Sequence, residues 1–90
     1  MYKEALELYE QSLFLREKIG LKNSHGYANI LFLSSIAEHK TGESCKAVKR
    51  ISSAIQIYKN LGYQDESKVA EEEGLKVYQR ACSNLLVTQN

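Results

Sequence analysis

The chain has 90 residues, 43% of them hydrophobic and 26% charged, with a formal net charge of +1. That length holds one domain, and both contents are ordinary, which argues against disorder. So small a net charge gives no electrostatic case for nucleic acid or an anionic membrane. No apolar run approaches the roughly 18 residues of a membrane span, and "MYKEALELYEQ" is charged too early to be a signal peptide. Two cysteines make no disulfide framework. Together these points favour the cytoplasm.

Proline is absent, the five glycines are scattered, and no stretch alternates in the manner of a strand. The expected class is all-α. The first predicted helix runs from Lys3 to Ile19, with Ala5, Leu6, Leu8, Tyr9, Leu13, Leu15 and Ile19 at helical spacing. Gly20 supplies a left-handed stop. The second runs from Ser24 to Lys40, capped by Asn23 or Ser24 and ended by Thr41-Gly42. Its centre "ANILFLSSIA" is apolar on nearly every side, which predicts cover on two faces. The third runs from Ser44 to Asn60, with Glu43 or Ser44 near the cap and Gly62 as its stop. The fourth starts at Asp65, again a good cap, and continues to Leu86. Ala70, Gly74, Val77, Tyr78, Ala81 and Leu85 are predicted on its inner face, and the tail "TQN" is expected to fray. Such short connections make neighbouring helices antiparallel.

"ALELYEQSLFLREKIG", residues 5–20, and "AVKRISSAIQIYKNLG", residues 47–62, form two copies of one pattern. The offset is 42, from Ala5 to Ala47 and from Gly20 to Gly62. Apolar falls opposite apolar at Leu6/Val48, Tyr9/Ile51, Leu13/Ile55, Leu15/Ile57 and Ile19/Leu61. Low identity with high pattern agreement means that packing repeats, as in a solenoid of stacked helix pairs. Ala5-Tyr9-Ser12 and Ala47-Ile51-Ala54 resemble the second-helix pattern of the tetratricopeptide repeat. The spacing is similar to the long form in kinesin light chains and in sensor domains of signalling ATPases. His25, Tyr27 and Ala28 resemble that form's inter-repeat turn, with Val69-Ala70 in the next copy. The first-helix pattern is met by Ile30, Leu33-Ser34 and Ala37 only with an extra residue before Gly42, and helix four meets it less well, with Val77-Tyr78 in place of Leu-Gly. The resemblance implies about two repeats, a chain that starts mid-repeat, and a slice of a longer array.

The resemblance also implies a concave surface lined by the first helix of each repeat. In this register Leu31, Phe32, Ser35 and His39 would line it, followed by Lys76 and Gln79. The Lys and Asn of the family's carboxylate clamp have no match there, so an apolar groove for a peptide or helix is the better expectation. An equal expectation is that a neighbouring helix covers Leu31 and Phe32.

Cys45, Cys82, His25 and His39 carry the only thiol or imidazole chemistry, and no catalytic motif surrounds them. Pairing of helices three and four would bring Cys45, Cys82 and His39 to one height. A metal site or disulfide is conceivable there, but the preferred reading is two half-buried free thiols. The resulting expectation is a non-catalytic interaction module without cofactor or metal, binding a protein or peptide and neither nucleic acid nor membrane. The alternatives are a slice of a larger signalling ATPase and, less favoured, a small Cys/His hydrolase. Leu8 and Phe14 stand opposite Arg50 and Gln56, so the first helix is expected to carry an open apolar face and to form a homodimer through it.

Overall fold

A computed structural model describes residues 1–88, and the side chains as far as Leu86. The chain is all-α, with no strand among the described residues. Helix α1 spans Tyr2–Lys18, α2 spans His25–Lys40 and α3 spans Ser44–Leu61. The last helical stretch is continuous: α4 at Gln64–Val69, a π-helical segment at Ala70–Leu75, then α5 at Lys76–Thr88. Of the tail expected to fray, Thr88 is instead the last helical residue, and Gln89 and Asn90 lie outside the described residues.

One device ends each of the first three helices. Gly20, Gly42 and Gly62 have φ of 80°, 89° and 85°, a region that side chains other than glycine's rarely enter. The next residue's N–H reaches back five residues: Leu21 to Arg16 O at 2.8 Å, Glu43 to Glu38 O at 2.7 Å, Tyr63 to Tyr58 O at 2.8 Å. This is the Schellman stop, which satisfies carbonyls that a helix end leaves free. Ser24 caps α2 as expected, its Oγ accepting from Tyr27 N–H at 3.2 Å. Asp65 does not cap α4; the cap position is Tyr63, and no side chain serves it.

These turns fold the helices back on one another. α2 packs between α1 and α3, and α3 packs against α2, α4, the π segment and α5. The core has Ala28, Ala47, Ile51, Ala54 and Ala70 fully buried at its centre, with Leu13, Tyr27, Leu31, Ile57, Tyr58 and Tyr78 around them. Small residues at 47 and 54 let α3 be approached closely.

The fourth helix departs most from expectation. Ala70, Gly74 and Tyr78 are buried, but Val77 and Leu85 are exposed. A π turn takes more residues than an α turn and so rotates every later side chain. Gly74 lies in that turn, where a Cβ would stand 3.0 Å from Ile51 Cδ1.

The expectation of free thiols fails. Cys45 and Cys82 are joined by a disulfide, with Cα atoms 4.7 Å apart. It ties the first turn of α3 to the middle of α5. His39 Nδ1 lies 2.8 Å from Ser44 Oγ. No cluster of metal-ligating side chains occurs among the described residues.

Candidate functional site

A groove of about 490 Å³ runs between α2 and α4, over α3. Phe32 and Leu33 line it from α2 and Val69 from α4, while Tyr58 rises from α3. Leu33 and Val69 are each 44% exposed, so the groove offers apolar surface to solvent. Asn29, Asp65 and Glu66 supply its polar edge.

The polar groups are held in place. Tyr58 Oη donates to Asn29 Oδ1 at 2.6 Å. Burial, with the nearby Glu66 charge, pushes the Tyr58 phenol up to about 12, so it stays a donor across ordinary pH. Glu66 Oε2 lies 2.7 Å from His25 Nε2. The His25 ring stacks on Tyr63, their centroids 4.1 Å apart. The carboxylate is thus braced from α2, and Asp65 stands exposed beside it.

Of the six residues expected in a groove, only Phe32 lines this one. Leu31 is core, 7% exposed, because one residue along a helix turns the side chain by about 100°. Ser35 is fully buried, its Oγ donating to Phe32 O at 2.6 Å. His39 sits farther along α2, its ring 4.7 Å from that of Tyr78. Lys76 and Gln79 are exposed on α5, beyond the π turn, and line no part of the groove. Leu33, Val69 and the Asp65-Glu66 pair were missed. Their signal was an apolar residue in each of two adjacent helices that the core does not use.

A depression of about 680 Å³ where α1, α2 and α3 meet is lined by charges of both signs. Arg50 there pairs with Glu10 of α1 and with Glu38 of α2, so the opposing charges meet each other.

No family model, curated protein or solved structure matches the chain. The groove's chemistry therefore stands on its own geometry.

Proposed function

We propose that the chain is a non-catalytic protein-interaction module of tandem helix hairpins of the tetratricopeptide kind. Its groove takes a short peptide that offers an apolar side chain next to a lysine or arginine. The supporting observation is the apolar wall of half-buried Phe32 and exposed Leu33 and Val69, ending at Asp65 and Glu66. An apolar side chain gains by leaving water there, and the two carboxylates attract the cation.

Screening the protein against an array of short peptides tests this. Peptides pairing a large apolar residue with Lys or Arg should be retained, and Phe32→Ala should weaken them at least about fivefold, or about 1 kcal/mol. Asp65→Asn should weaken basic peptides and leave neutral ones unchanged. Phe32→Ala that lowers the melting temperature but leaves affinity intact would make Phe32 a packing residue and end the assignment.

A further inference from the structure

The internal copy shows what α1 lacks. On α3, Arg50 reaches Glu38 of α2, and Ile57 shares one cavity wall with Tyr27 and Leu31 of α2. Forty-two residues earlier the same positions are Leu8 and Leu15. No helix covers them among the described residues: Leu8 is 64% exposed, Leu15 61% and Ile19 70%. Phe14 does not belong to this face, since six residues place it roughly 120° round the helix from Leu8. It lies instead under Lys18, whose Nζ is 4.8 Å from the ring centroid.

The stripe reads Met1, Ala5, Leu8, Ser12, Leu15, Ile19, in steps of four, three, four, three and four, its large residues exposed and Ala5 and Ser12 half-buried. That spacing is the same from either end. An antiparallel copy therefore sets each residue opposite the one whose number completes 20: Ala5 meets Leu15, Leu8 meets Ser12 and Met1 meets Ile19. In the two inner layers a large side chain meets a small one, which is how facing helices fill space without clash. On one flank Glu4, which pairs with the amino group of its own Met1, comes within two residues of the position opposite Lys18. The shape of the stripe is self-complementary, as a two-fold contact requires.

We infer that the chain forms a two-fold dimer in which α1 packs antiparallel on α1 of a second copy, through Leu8, Ser12, Leu15 and Ile19. Sedimentation of the intact protein across micromolar concentrations should show a monomer–dimer equilibrium. Leu8→Ser should weaken it about a hundredfold, because each dimer loses two buried leucines. Ser12→Leu should also weaken it by setting leucine against leucine. The swap of both, Leu8→Ser with Ser12→Leu, should recover most of the affinity, since the inner layer again pairs large with small. Circular dichroism checks that each variant is folded. A helical protein that stays monomeric at every concentration overturns the inference, whatever other protein then covers the face. So does a dimer whose affinity Leu8→Ser leaves unchanged, or one that the double swap fails to restore.

Discussion

Arg50 stands where the first copy has Leu8, a position that suggests an arginine facing water. It is instead only 20% exposed in its side chain and ties three helices, pairing with Glu10 of α1 and with Glu38 of α2 at 3.0 Å. Glu38 is 3% exposed. Its Oε1 meets Arg50 as an ion pair and has no formed hydrogen bond. Burial raises the Glu38 carboxyl above its ordinary value of 4.5, with Arg50 opposing and Glu10 adding to the rise. A raised carboxyl holds its proton more tightly folded than unfolded. Its contribution to stability is therefore fully present below pH 4.5 and is lost as pH rises through the folded value. Arg50 limits that loss. Arg50→Met should then cost about 3 kcal/mol at neutral pH, where it strands a buried charge, and distinctly less near pH 4. Urea denaturation at the two pH values measures the difference. Equal losses at both would show that the arginine acts by packing alone. Nothing in the sequence marked this triad, because Glu10, Glu38 and Arg50 are far apart along the chain and each reads as a surface charge.

Helices were legible where local chemistry fixes them. Gly20, Gly42 and Gly62 each sit after a helical stripe, and all three adopt the left-handed turn. Ser24 was legible as a cap for the same reason: its effect is confined to three residues. The interior of the fourth helix was not legible. A π turn begins from no distinctive residue, and it shifts the face of everything after it, so Val77 moved outward while Tyr78 stayed in. The pattern shared by the two segments did mark buried positions on α3. Ala47 and Ala54 are both fully buried. Ala54→Leu should overpack α3 against its neighbours and cost about 1–3 kcal/mol, read as a drop in melting temperature. An unchanged melting temperature would mean that this face of α3 can move apart freely.

At the scale of the molecule, the groove combines what was legible with what was not. Phe32, Leu33 and Asn29 line it from α2, but Tyr58, Asp65, Glu66 and Val69 come from later helices, and their placement depends on how the helices stack. The same holds for the cysteines. They are 37 residues apart in sequence, and only the antiparallel return of α5 along α3 brings them together. The cysteine count had favoured the cytoplasm, but a formed disulfide is typical of oxidising compartments, so that support falls away. The bond also closes a long loop. Cross-linking across 37 residues removes unfolded-state entropy equivalent to about 4 kcal/mol. A domain of this size has a total stability on the order of 5–13 kcal/mol, so the bond is a large part of it. Cys45→Ser with Cys82→Ser should therefore lower stability by about 4 kcal/mol in chemical denaturation. A reductant should lower the unaltered protein to the same level and leave the double variant unaffected, which separates the bond from the replacement of two sulfurs. A change below about 1 kcal/mol from both routes would mean that α5 undocks from α3 before the rest unfolds, so that the tie closes a loop already open.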